Sequence, residues 1–149
     1  MISQKCQYAL RAMFELAKQH GRGPVKISEI AEHQAIPARF LEVILSEMKQ
    51  GGFVGSRRGS EGGYLLVRPP EGVTVGAIIR FVEGPFAPVP CIEDDAAARR
   101  CALYPRCVFM PMWDKVRRAI SEIYDTTTLA DLVEQEALRS SQNVSQYSI

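Results

Sequence analysis

Apolar residues recur at helical spacing from the beginning of the chain. Tyr8, Ala12 and Leu16, flanked by Ala9, Met13 and Ala17, predict a helix over roughly 3–20, capped by Ser3 and ended by Gly21-Arg22-Gly23-Pro24. Ser28 is read as the cap of a short helix from Glu29 to about His33, with Ile30 and Ala31 turned inward. After a break at Gln34-Ala35-Ile36, Pro37 suits the first turn of a new helix, because its missing N–H would have no intrahelical partner there. That helix runs to about Gln50 and Gly51-Gly52 stops it. Phe40, Leu41, Ile44, Leu45 and Met48 form its predicted buried stripe, while Ala38, Arg39, Glu42, Val43 and Ser46 point elsewhere.

Two short β runs follow, Phe53–Arg57 and Tyr64–Val67. The segment from Arg58 to Gly63 between them carries the glycines that a hairpin tip needs for positive φ. Two short helices, a break and a basic hairpin make a winged helix-turn-helix. Thr74 caps a further helix over about 75–83, with Ile78, Ile79 and Val82 inward and Gly84 at its end. Residues 85–110 carry Pro85, Pro88, Pro90 and Pro105 and read as loop. Pro111 opens a long helix to about Tyr124, striped by Met112, Val116, Ala119, Ile120 and Ile123. Thr126-Thr127-Thr128 breaks it, and Thr128 caps a short helix from Leu129 to about Ala137. The Ser/Gln/Asn-rich stretch after Arg139 reads as a disordered tail.

The organisation predicted is therefore a winged DNA-binding domain at 1–84, a cysteine-bearing sensor loop at 85–110, a long helix and a short one at 111–138, and a tail at 139–149. With 46% hydrophobic residues in 149, the chain has enough apolar content for one packed core. No apolar run reaches the roughly 18 residues of a membrane span, and Met1-Ile2-Ser3-Gln4-Lys5 lacks the order of a signal peptide. Both points predict a cytoplasmic protein with no membrane partner. Residues 1–70 hold ten Lys/Arg against six Glu, whereas the rest holds eight basic and eleven acidic residues. A basic first half fits a nucleic-acid partner. There is no G-x-x-x-x-G-K-[ST], no H-E-x-x-H and no evident nucleophile–base pairing, so an enzyme is not expected.

In a helix-turn-helix the second helix lies in the major groove, its N-terminal residues on base edges. This places Ala38, Arg39 and Glu42 at DNA. Arg39 suits a two-pronged contact to guanine, and Glu42 can accept from cytosine N4. Arg57, Arg58 and Gly59 at the hairpin tip suit the negative potential of a minor groove. With Ser28 at the start of the first helix of the pair, these residues make the candidate DNA-contacting set. Each of them also reads, taken singly, as solvated surface.

Several stretches resemble the IscR/NsrR/RirA/CymR-type family of bacterial transcription regulators. They are Lys5, Tyr8 and Ala9; Ile27-Ser28-Glu29-Ile30-Ala31; Phe40-Leu41-Glu42; and above all Arg58-Gly59-Ser60-Glu61-Gly62-Gly63-Tyr64-Leu65-Leu66, which carries the wing motif R-G-x-x-G-G-Y-x-L. The resemblance continues through Val75–Ile79 and Thr128–Leu132. It implies a mainly α fold with a small β-hairpin wing, a winged helix-turn-helix joined to a long C-terminal dimerisation helix. It further implies a homodimer on a palindromic operator, in which Glu42 and Arg58 match positions that read the major and minor grooves.

Cys91, Cys101 and Cys107 lie in the loop just before the long helix. Cluster-binding relatives use three such cysteines, so the resemblance implies a [2Fe–2S] cluster held by this triplet, soft thiolates being the donors such clusters take. The position where those relatives often carry a histidine is Met110 here. The fourth donor is left open among Cys6 of the partner subunit's first helix, the acidic residues Glu93, Asp94 and Asp95, and water. A zinc site completed by Cys6, a reversible disulfide, and control by a protein partner are the other readings of the same residues.

Overall fold

The computed structural model describes residues 1–146. Its elements in chain order are α1 (Gln4–Lys18), α2 (Ile27–Gln34), α3 (Ala38–Gln50), β1 (Val54–Arg57), β2 (Gly63–Leu66), a 3-10 turn (Pro70–Gly72), α4 (Val75–Glu83), α5 (Pro90–Glu93), α6 (Asp95–Arg100), α7 (Met110–Thr126) and α8 (Leu129–Gln146). The strands form one antiparallel hairpin in which Val54 faces Leu66 and Arg57 faces Gly63. This is the mainly helical winged arrangement expected.

Local chemistry sets the element ends. The Ser3 hydroxyl accepts from the Cys6 N–H at 3.1 Å, capping α1, and the Ser3 N–H reaches Glu83 Oε1 at 2.9 Å, tying α1 to the end of α4. Thr74 caps α4 through the Ala77 N–H, and Thr128 and Asp131 exchange side-chain-to-backbone hydrogen bonds at the start of α8. The core gathers Met13 and Leu16 of α1, Ile30 of α2, Leu41 and Leu45 of α3, Ile78 of α4 and Leu129 of α8, each at most 1% exposed. Burying a side chain of this size contributes about 1.5–3 kcal/mol.

The fold departs from the sequence reading at several points. Ser28 does not cap α2. The helix begins at Ile27, and the Lys26 carbonyl accepts from the Glu29 and Ile30 N–H groups, because Val25 is already paired to Tyr64 of the wing by two 2.8 Å backbone hydrogen bonds. Phe40 is 47% exposed, not part of the buried stripe. Leu41, Ile44, Leu45 and Met48 complete that stripe without it, and Phe40 sits one residue off, about 100° round the helix, with its ring 6.5 Å from Tyr8. Residues 85–110 are not all loop. Pro90 opens α5, and the Asp94 carboxylate caps α6 by accepting from the Ala96 and Ala97 N–H groups at 2.9 and 3.3 Å. The predicted tail from 139 is helical through Gln146, since no glycine or proline interrupts it and the Ser141 and Ser145 hydroxyls bond back to the carbonyls four residues earlier. The last three positions of that tail, 147–149, lie outside the described residues. Leu129 of α8 also belongs to the core, with Leu132 and Val133 packed against it.

Candidate nucleic-acid interface and the cysteine loop

The turn between α2 and α3 decides where α3 points. Ala35 takes a left-handed conformation there, with φ 51°, and the Arg11 guanidinium of α1 donates to the carbonyls of both Gln34 and Ala35. Below it lies Glu15, a fully buried carboxylate. It bonds His33 Nδ1 at 2.8 Å and accepts from Gln34 Nε2 at 2.8 Å, while Lys18 approaches at 3.3 Å and also reaches Glu136 of α8. Burial alone would raise the Glu15 carboxyl, but hydrogen bonds from Gln34, His33 and Lys18 outweigh it and hold it below its ordinary value. The hydrogen bond to Glu15, followed by its charge, raises His33 above the usual histidine range. One buried anion thus locks the end of α2 onto α1.

With α3 so held, Ala38, Arg39 and Glu42 are exposed along its first two turns, as is Ser28 on α2. The Arg39 guanidinium rests 4.8 Å from the Phe40 ring centre. Arg57, Arg58 and Gly59 are exposed on the wing. Its base is tied to α3 by the Lys49 ammonium, which donates to Ser56 Oγ at 2.6 Å, and to the rest of the domain by the Val25–Tyr64 pair. Glycine is required in this wing. A Cβ on Gly62 would stand 2.2 Å from the Arg57 carbonyl oxygen, and one on Gly63, at φ 150°, would stand 2.3 Å from the Val25 oxygen.

The four cysteines are free thiols in different settings. Cys91 is half-buried on α5, Cys101 is exposed at the end of α6, and Cys107 is half-buried just before α7. Among the described residues, no three His, Cys, Asp or Glu side chains are grouped so as to hold a metal ion. Cys6 lies wholly inside its own subunit, and burial, with Glu83 nearby, pushes its thiol up to about 11. A donor to a partner's cluster needs an accessible thiolate, whereas Cys6 is buried here and its thiol is pushed up. Met110 is the first residue of α7 and adds no hard or thiolate donor. In donor type the triplet suits iron–sulfur chemistry.

The Rrf2 family model, described as that of iron-dependent transcriptional regulators, matches residues 2–135. The chain belongs to the Rrf2 family. It is 40% identical over 141 residues to the transcriptional regulator CymR of Bacillus subtilis, covering 91% of this chain and 95% of that one. It is 34% identical over 137 residues to IscR of Sodalis glossinidius, covering 92% and 81%. Among solved structures, that of CymR, the global cysteine regulator of B. subtilis, superposes with a TM-score of 0.75 at 39% identity over 91% and 97% of the two chains. IscR of T. potens gives 0.74 at 34% identity over 91% and 88%. The protein is thus a DNA-binding transcriptional regulator of the Rrf2 family and not an enzyme. Among the described residues, no helix is long and apolar enough to cross a membrane.

Sequence reasoning missed Arg11, Glu15, His33 and Gln34 as the group that aims α3. One signal was present: Glu15 interrupts a stretch of α1 whose neighbours Ala12, Met13 and Leu16 are all buried, and a carboxylate at such a position needs partners.

Proposed function

We propose that this Rrf2 regulator acts in the cytoplasm as a homodimer, most simply as a repressor. In this reading it grips a palindromic operator with two copies of α3 and the wing, and it alters that grip when the cysteine loop changes state. The observation that carries the proposal is α7. None of its 17 residues is buried, and its apolar face stands open: Met112 is 44% exposed, Val116 36%, Ile120 36% and Ile123 64%. Their spacing puts them on one side of a helix, as a two-fold seam requires. Cys107 lies three residues before that helix, so a change at the loop is applied directly to its start.

On DNA, Ala38, Arg39 and Glu42 meet the major groove while Arg57, Arg58 and Gly59 enter the minor groove, and Ser28 lies near phosphate. The Glu15 network holds the α2–α3 angle while this happens. Cys91, Cys101 and Cys107 are the responsive groups. A [2Fe–2S] cluster, if bound, would take these three as ligands and would supply a group that oxidants and iron supply can alter. A second reading, a thiol switch without metal, draws support from the exposed Cys101.

Anaerobic purification tests both. Visible absorption with about one cluster per subunit, lost in Cys101→Ala, supports the cluster; a colourless protein whose DNA affinity changes with a mild oxidant supports the thiol switch. Equal affinity for operator DNA in every iron and oxidation state would sink the sensing reading. A chain that selects no sequence from randomised DNA would sink the operator reading.

A further inference from the structure

We propose that the ion pair between Arg80 and Asp125 sets the half-site spacing that this regulator accepts. The inference rests on the dimer reading, because spacing has meaning only for two joined subunits.

Since α7 buries none of its own residues, something other than a core must fix its direction. The joint at its C-terminal end does so. Val75 N–H donates to the Thr127 carbonyl at 2.9 Å, Leu129 N–H donates to the Val73 carbonyl at 2.9 Å, and Thr74 pairs with Thr128. These bonds pin one end of α7, which also touches α5. Arg80, in the last turns of α4, supplies a second point. Its two terminal nitrogens meet the two oxygens of Asp125 at 2.5 and 2.7 Å. A two-pronged contact fixes angle as well as distance. The same guanidinium lies 4.4 Å from the Phe86 ring centre, and Phe86 meets Tyr124 edge-on at 5.1 Å. Arg80, Phe86, Tyr124 and Asp125 thus close a ring of contacts between the end of α4, the chain leaving it and α7.

Gly76 makes room for that ring. A Cβ there would stand 2.1 Å from Asp125 Oδ1 and 3.1 Å from Arg80 Nη1, so any side chain drives the carboxylate away. Both charged side chains are 42% exposed, and ion pairs that open to water add little to stability. Geometry, not stability, is what the contact determines. From Thr126 back to Met110, α7 is about 25 Å long, so a tilt of about 10° at the joint moves its far end about 4 Å. That exceeds the rise of one base pair, about 3.4 Å.

The test uses the full chain and duplexes selected by the wild type from a randomised library, then rebuilt with the spacer one or two base pairs shorter or longer. Three variants are compared: Asp125→Asn, Arg80→Lys, which keeps the charge but not the fork, and Gly76→Ala. We expect the wild type to favour one spacing over its neighbours by about tenfold or more, and the variants to lose most of that preference. Affinity for a single half-site and the dimer dissociation constant should stay within about twofold, which separates a positioning role from a folding defect. If Gly76→Ala fails to fold, the other two variants carry the test. A wild-type chain that stays monomeric overturns the dimer reading; dimeric Asp125→Asn and Arg80→Lys variants with the wild-type spacing profile overturn this inference alone.

Discussion

Replacing Ile123 with aspartate should split the dimer and leave the subunit folded. Ile123 is 64% exposed in the single chain, so the subunit itself does not depend on burying it. Fully covering an isoleucine contributes about 1.5–3 kcal/mol, so covering the open two-thirds contributes about 1–2 kcal/mol per subunit. A two-fold seam uses the residue twice, which makes about 2–4 kcal/mol for the dimer. At about 1.4 kcal/mol per decade this weakens association by about 30- to 700-fold, and desolvating two carboxylates adds to the loss. Sedimentation velocity over a range of concentrations measures the dissociation constant, and thermal unfolding of the monomer at low concentration checks the fold. That midpoint should move little, because exposed substitutions are usually within about 0.5 kcal/mol. An Ile123→Asp dimer with a dissociation constant within about threefold of the wild type would refute the seam on α7.

Three further outcomes follow from the structure. In the reduced, metal-free protein, a maleimide should label Cys101 readily and Cys6 only after denaturation, because Cys6 is buried and its thiol is pushed up to about 11; peptide mass spectrometry showing native Cys6 labelled as fast as Cys101 would contradict this. His33, raised in the folded state, contributes stability below its ordinary value of 6.5 and loses it as pH rises through the folded value, whereas Glu15, lowered, contributes above 4.5 and loses it as pH falls; the midpoint gap between wild type and His33→Gln should therefore be widest between about pH 4.5 and 6.5 and shrink toward pH 9, and a gap that grows with alkaline pH would count against the network. Arg58→Ala should weaken DNA binding across sequences and reduce the log–log salt slope by about 1, while Arg39→Ala should cost about 1–3 kcal/mol and relax discrimination at one base pair; fluorescence anisotropy at several salt concentrations distinguishes the two, and unchanged binding in both would remove α3 and the wing from the interface.

Elements whose limits are set by local chemistry were legible in the sequence. Ser3, Thr74 and Thr128 each mark a helix start, and each caps as expected. The spacing of Leu41, Ile44, Leu45 and Met48 named the buried face of α3, and the glycines named the wing. What failed depended on contacts distant in the chain. Ser28 lost the cap because the wing strand holds Val25, and Phe40 lies about 100° round α3 from the face that the core covers, its ring beside Tyr8 of α1. Prolines suggested a loop at 85–110 with room for one helical turn over 93–100, whereas Pro90 at a helix start and Asp94 as a cap give two short helices there. The three loop cysteines were visible as a set, but spacing cannot say whether sulfurs converge. The anchoring role of Glu15 needed His33 and Gln34, which lie 18 and 19 residues away.

Leu129 has a consequence for how the protein is made. It is fully buried in the core formed by α1, α3 and α4, yet it lies beyond the cysteine loop and the whole of α7. The nascent chain therefore emits every residue proposed to contact DNA before it emits Leu129, which belongs to the core of the domain displaying them. Until Leu129 leaves the ribosome, the core that also holds Val73 and Ile78 is incomplete. In the proposed reading, the cysteine loop is therefore synthesised before the core beneath the DNA-contacting elements is complete.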